Sequence, residues 1–323
     1  MNEGTGWQGD AGFTGIFAGM PRIESPAFAQ ELDRYGFDDN ERDIAVRLHR
    51  DGFVVIDFED PDLDARIARI KANLSPRFGV DLADPESDKT LGERRLQDAW
   101  NFDPDVRAIA TNAKVVELLG KLYGRRAFPF QTLNFPVGTQ QDTHSDSVHF
   151  SSVPERFMCG VWLAMEDVPA AAGPLFYLRG SHRWPIVSNA MIGRRGTGIE
   201  LSSAQEPYGA AWDALARSYG AEPEPFLARK GQALIWCANL MHGGSPQIDP
   251  RLTRWSQVTH YYFENCTYYT PAFSDEVLGQ LHLRSITGID DGRRHPNTYL
   301  GQAWPEPAKP RGPRWLRRMR KRT

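Results

Sequence analysis

Cysteine is scarce in this sequence: Cys159, Cys237 and Cys266 are the only three, and no two form a CxxC pair. An odd, widely spaced set among apolar neighbours argues against a disulfide framework and a thiolate zinc site, and predicts buried free thiols. Long apolar runs are also missing. No stretch approaches the ~18 consecutive apolar residues that mark a bilayer span. The opening MNEGTGWQGDAGFTG has no basic start leading into an apolar run, so no secretory signal is read and the expected location is cytoplasmic. Internal repeats and low-complexity tracts are absent. Basic charge is short everywhere but at the end. Residues 307–323, PAKPRGPRWLRRMRKRT, hold eight of the 38 Lys and Arg and no acid, leaving 30 basic against 41 acidic residues elsewhere, a balance of −11. So acidic a body disfavours nucleic acid as a specific partner. For the basic tail, a weak membrane-surface contact, a weak nucleic-acid contact and no partner at all stay open. Trp315, Leu316 and Met319 lean slightly towards the membrane.

What is present suits a single globular domain. Residues 1–38, rich in Gly, Pro and polar side chains, are expected as an irregular arm, 39–306 as the domain and 307–323 as the tail. Helices are predicted at about 40–50, closed by Gly52, from Asp60 onward, and at 104–112 and 113–124. FVVIDF at 53–58 reads as a buried strand. From Ala127 short runs rich in Val, Phe, Trp and Tyr alternate with Gly and Pro turns: FPFQTLNF, VHFSS, FMCGVWLAMEDV, PLFYL, ALIWCANL and WSQVTHYYF. That spacing predicts a barrel or sandwich over about 127–265, interrupted by an insertion at about 183–222 with a helix near 203–219.

The chemistry concentrates in THSDSVHF at 143–150. In an extended segment, side chains two apart share a face, so His144 and Asp146 are expected side by side. The best third partner is His242, in the turn MHGGSP after ALIWCANL. Two imidazoles and one carboxylate on one face of an octahedron leave open positions, the arrangement of non-haem iron(II) oxygenases. Arg254 follows twelve residues after His242. A guanidinium carried back into a β-rich interior calls for an anion, and the distal carboxylate of 2-oxoglutarate fits a two-pronged grip. A surface or salt-bridged Arg254 is the alternative, and Arg251 competes for the role.

The order HxD, GPLFYLRGSH, MHGGSP, Arg254 and His260 resembles the phytanoyl-CoA dioxygenase family, from about Gly52 to Phe263 and most densely over 131–263. The resemblance implies a mainly β fold with flanking helices around a double-stranded β-helix (jelly-roll, cupin-like) core. It implies iron(II), 2-oxoglutarate and O2. Carried over residue by residue, the metal ligands and catalytic centre fall on His144, Asp146 and His242. Co-substrate contacts fall on Arg254, Trp162 in CGVWLAMED, Leu133 in QTLNF, Arg95 in RRLQDAW, and Ser256. The serine after the distal histidine comes one place late, at Ser245, with Gly244 in the matching slot. Related halogenating enzymes lack the carboxylate that Asp146 supplies. The implied activity is therefore a dioxygenase that hydroxylates an unactivated C–H bond of a small-molecule or lipid-like substrate, with release of succinate and carbon dioxide. The alternatives are a cupin-like metalloenzyme without 2-oxoglutarate, or an inactive binding homologue.

Other residues carry weaker expectations. Phe135, Phe150, Trp162, Tyr177, Tyr261 and Phe263 suit a dry cavity or plain core packing. His149, three residues past Asp146, is expected to face away from the pair. His260 is expected near the co-substrate or in the core, and His182 in an exposed turn. Arg156, Arg194 and Arg195 are candidates for attracting an anionic substrate or for solvated surface charge. His49, His282 and His295 stand outside any motif. Nothing selects the substrate or the oligomeric state.

Overall fold

The protein is described here by a computed structural model covering residues 15–196, 205–299 and 301–304; the basic tail lies outside the described residues. The described part of the N-terminal segment is not irregular. It makes a helical turn at Arg22–Glu24, the short helix α1 (Phe28–Glu31) and a further turn at Leu32–Arg34. Ile23 and Phe28 are buried in the main core, which explains why this stretch is held against the domain.

Helix α2 spans Asp39–Asp51. Asp38 caps it, accepting the Glu41 N–H at 2.8 Å while the Glu41 carboxylate accepts the Asp38 N–H at 3.1 Å. A reciprocal cap of this kind contributes about 1 kcal/mol. Gly52 ends the helix at φ 82°, where a side chain would also strike His182. Strand β1 (Phe53–Asp57) follows, then α3 (Leu63–Leu74), edge strand β2 (Leu96–Gln97), α4 (Pro104–Ala110) and α5 (Ala113–Tyr123). Asp103 and Asn112 cap the last two, and Pro104 sits where a missing N–H costs nothing.

The β-rich half comprises β3 (Ala127–Phe135), β4 (Ser151–Val153), β5 (Met158–Ala164), β6 (Leu175–Tyr177), α6 (Gly209–Ser218), β7 (Glu224–Pro225), β8 (Gln232–Cys237), β9 (His242–Gly244), β10 (Ser256–Phe263) and β11 (Thr267–Tyr269). The hairpin strands β12 (Ile286–Thr287) and β13 (Arg294–His295) come after them. One antiparallel sheet runs β1-β8-β5-β10-β3-β2, and a smaller one runs β7-β6-β9. The fold is mainly antiparallel β with flanking helices. One face of the large sheet packs Val161, Leu163 and Ile235 against helix residues such as Leu48, Ile70 and Leu119. The other face gathers Trp162, Leu234, Trp236 and Val258 with Phe53 and Tyr177. The strict two-residue alternation of the strands separates these sets.

The expectation of an extended 143–150 segment does not hold. His144 forms a single bridge to His242, and Asp146–Val148 is a 3-10 turn. The predicted strand VHFSS shrinks to Ser151–Val153. Among the described residues, no helix is long and apolar enough to cross a membrane.

One glycine sets the sheet's inner face. Gly160 lies opposite Trp236, and a Cβ there would fall 2.1 Å from the indole. Gly160→Ala is expected to displace that ring and lower stability by about 1–3 kcal/mol. Denaturant unfolding checks this; an unchanged midpoint would mean the ring has slack.

Candidate metal centre and adjoining cavity

His144 comes beside His242, the first residue of β9, because the backbone bridges the two, and Asp146 follows on the 3-10 turn. The N–H of each histidine donates to the other's carbonyl at 2.9 Å. The two imidazole centroids are then 4.3 Å apart. The turn at Asp146 folds its carboxylate between them, 3.9 Å from His144 Nε2 and 3.9 Å from His242 Nε2. One donor atom from each of the three residues lies within 4.8 Å of the others, and all three side chains are buried.

The protons are placed by the second contact of each ring. His144 Nδ1 is 2.8 Å from the Asp142 carbonyl, and His242 Nδ1 is 2.9 Å from the Leu240 carbonyl. A carbonyl only accepts, so each Nδ1 carries the hydrogen and each Nε2 keeps its lone pair towards Asp146. Burial, then the neighbouring His242, drives the His144 pKa down to about 3, which keeps the ring neutral. Burial pushes the Asp146 carboxyl up, but His242, His260, His144 and the Trp236 N–H together outweigh it and hold it at about 2. A neutral His144 beside an ionised Asp146 is the pair of protonation states a divalent cation needs from these two residues.

Trp236 was not singled out by sequence. Its indole Nε1 donates to Asp146 Oδ2 at 2.9 Å. Nothing local signals this, since the contact depends on Gly160 making room across the strand pair. Trp236→Phe keeps a ring but removes the N–H. Divalent-metal affinity is expected to fall about ten- to a hundredfold, read by calorimetry; unchanged affinity would show that Asp146 is oriented by other contacts.

A cavity of about 480 Å³ opens on this cluster. Leu133, Val258 and Trp162 form one cross-strand row along its floor, and Gln131, His260 and Trp236 contribute from the next. Arg95 lines it from an exposed position. Arg254 lies deep in it, only 2% exposed. One guanidinium nitrogen donates to the Gly173 carbonyl at 3.1 Å, while Nε has no hydrogen-bond partner among the described residues. The group sits 5.6 Å from the Trp162 ring centroid. No carboxylate among the described residues forms a salt bridge with it; the nearby Glu166 is taken by Lys71 and by the Trp255 N–H. Burial lowers its pKa to about 10, so it stays charged at neutral pH.

Two expected co-substrate residues are placed differently. Ser245 is half-buried beyond the cavity lining, with its N–H donating to the Pro174 carbonyl at 2.8 Å. Gly243 takes the lining position instead. Ser256 is also outside the lining, yet it is fully buried and its hydroxyl is unpartnered, on the strand face that carries Val258 and His260.

His149 lines the cavity instead of facing away, because residues three apart eclipse in a 3-10 turn. His260 also lines it, 3.8 Å from Asp146. His182 is 1% exposed, packed under Gly52. Arg251 is exposed and pairs with Asp249, so it does not compete with Arg254. Arg156 is paired with buried Glu24 at 2.6 Å and Arg195 with Asp275 at 2.6 Å, while Arg194 donates to Asn189; none lines the cavity. Of the six aromatics, Phe135, Phe150 and Trp162 line it, whereas Tyr177 packs on Phe53 and Tyr261 and Phe263 lie in the main core. The three cysteines are free and buried, as expected.

No curated protein matches the sequence. Among solved structures, the epimerase SnoN from nogalamycin biosynthesis, described as non-heme and alpha ketoglutarate dependent, aligns with a TM-score of 0.52 at 16% identity, over 71% of this chain and 85% of its own. The carbocyclase SnoK from the same biosynthesis aligns with 0.54 at 14%, over 72% and 87%. EctD from S. alaskensis, crystallised with 2-oxoglutarate and 5-hydroxyectoine, aligns with 0.54 at 20%, over 74% and 80%. At such identities these likenesses establish the fold. A family model described as Phytanoyl-CoA dioxygenase (PhyH) matches residues 11–251, and on that match the chain belongs to the phytanoyl-CoA dioxygenase family.

Proposed function

We propose that this chain is an iron(II)- and 2-oxoglutarate-dependent dioxygenase that hydroxylates a C–H bond of a small molecule, with release of succinate and carbon dioxide. Arg254 is the observation that carries the reading. A buried, charged guanidinium without a carboxylate partner is costly unless an anion enters beside it. It opens into the same cavity as the His144, Asp146 and His242 cluster. The orphaned Arg254 Nε is a polar group that a carboxylate at this end would satisfy.

The donor set fits iron(II). When bound, iron and 2-oxoglutarate supply the activation of dioxygen and the oxidising power for the C–H bond. The residues have separate tasks. His144, Asp146 and His242 hold the metal on one side only. Trp236 fixes the carboxylate, and Arg254 with Trp162 and Leu133 positions the co-substrate. Gln131, Gln141, Gln205 and Arg95 face the remaining volume, so the substrate we propose is polar, with several hydrogen-bonding groups. A cupin-like metalloenzyme without 2-oxoglutarate would leave Arg254 with no anion to bind.

Anaerobic addition of iron(II) and 2-oxoglutarate to the apo-protein is expected to give a weak visible charge-transfer band that requires both. Absence of the band, or its formation without 2-oxoglutarate, contradicts the proposal. Substrate-dependent succinate release, with analysis of the product, then separates hydroxylation from outcomes such as epimerisation or ring closure.

A further inference from the structure

Beyond the family match, the chain continues into the β12–β13 hairpin, which docks on β3. The Ile289 N–H donates to the Pro129 carbonyl at 2.8 Å, and the His295 ring stacks on Phe128 with centroids 3.6 Å apart. Asp290, Asp291 and His295 converge at this junction, with one donor atom from each within 4.8 Å of the others.

Among the described residues, each side chain has one position left over. Asp290 gives Oδ2 to Arg126 at 2.8 Å, and its buried Oδ1 has no hydrogen-bond partner. Asp291 accepts the Arg293 N–H on Oδ1 at 2.8 Å, while Oδ2 stands 3.6 Å from His295 Nε2. His295 is only 8% exposed, and its Nε2 is buried without a hydrogen-bond partner. Asp290 Oδ1 and His295 Nε2 border one small space, and the Asp291 carboxylate borders it through Oδ1, the oxygen that also accepts the Arg293 N–H. A Cβ on Gly288 would lie 2.7 Å from Asp290 Oδ1, 2.8 Å from Asp291 Oδ1 and 2.8 Å from His295 Nε2. That space stays open only because residue 288 has no side chain.

We propose that Asp290, Asp291 and His295 hold a divalent cation of the zinc class, a structural site that pins the C-terminal hairpin to β3. One imidazole nitrogen and two carboxylate oxygens suit zinc at bonds of about 2.0–2.2 Å, with water completing the shell. Exposed Asp291 leaves a path from solvent. Arg126, shared between Asp290 and Glu264, orients the first carboxylate as outer partners of metal ligands do. The hairpin's own pairing is only two residues long, Ile286 with His295 and Thr287 with Arg294, so a cation there would tie a short element to the sheet.

The test uses the full chain carrying His144→Ala and His242→Ala, which removes the first cluster. Stripped by a chelator and titrated with zinc(II) or cobalt(II), this protein is expected to bind one equivalent and to gain thermal stability from it. Adding His295→Ala or Gly288→Ala is expected to weaken binding more than about tenfold and to abolish the thermal gain. Gly288→Ala keeps every donor and fills the space between them. Asp291→Asn guards against simple misfolding: binding should weaken while the metal-free midpoint stays unchanged. A parent that binds no metal, or whose bound equivalent survives all three changes, overturns the site.

Discussion

Alanine at His144, Asp146 or His242 is expected to abolish stable iron binding and to lower turnover at least about a thousandfold, some 4 kcal/mol of barrier. Three protein donors fill half of an octahedral shell and leave the other half for co-substrate and dioxygen, so losing one removes a third of the protein's grip on the ion. The loss should come from the donor and not from the fold. The contact that sets the two histidines side by side is main chain, each N–H on the other's carbonyl at 2.9 Å, and it survives truncation of either ring. Asp146 differs, because its removal also strands the Trp236 N–H. Asp146→Asn keeps that acceptor and the volume but not the charge. It is expected to fold normally and still bind iron poorly. Circular dichroism and metal analysis on the same samples check both halves; a folded variant with full iron occupancy would remove its residue from the centre.

Arg254→Met carries the second large effect. Losing a buried charge partner costs about 2–5 kcal/mol of binding, roughly thirtyfold to several thousandfold in 2-oxoglutarate affinity. Arg254→Lys retains the charge but not the planar fork, and should fall between. Stability offers an independent sign. An arginine kept for structural pairing would be missed when removed. This one has no carboxylate partner among the described residues and carries a desolvation cost, so Arg254→Met is expected to leave the metal-free thermal midpoint unchanged or raised. A large fall in that midpoint with little change in 2-oxoglutarate affinity would make Arg254 a core residue.

The sequence revealed the site's chemistry better than its geometry. The helices at 39–51 and 113–123 and the strands bearing Trp162 and Arg254's neighbours were legible because caps, glycine stops and alternation are local signals. The HxD pair was legible as residue types. Its assumed strand was not, since a lone bridge to His242 and a 3-10 turn depend on a segment about a hundred residues away. That same turn reversed the reading of His149. Trp236 and Gly160 act as a pair only through strand register, which no local pattern encodes. The charges at Arg156 and Arg195 looked available for substrate because their partners, Glu24 and Asp275, are far off in sequence. His295 was unreadable for the same reason: its neighbours are set by the docking of a hairpin.

Crystals of the iron-loaded protein, measured at wavelengths on either side of the iron absorption edge, test the central claim most directly. The account predicts an anomalous peak about 2 Å from His144 Nε2, from an Asp146 oxygen and from His242 Nε2, on the side facing Arg254. A peak bonded to other residues, or His242 turned away from a peak held by His144 and Asp146, would contradict it.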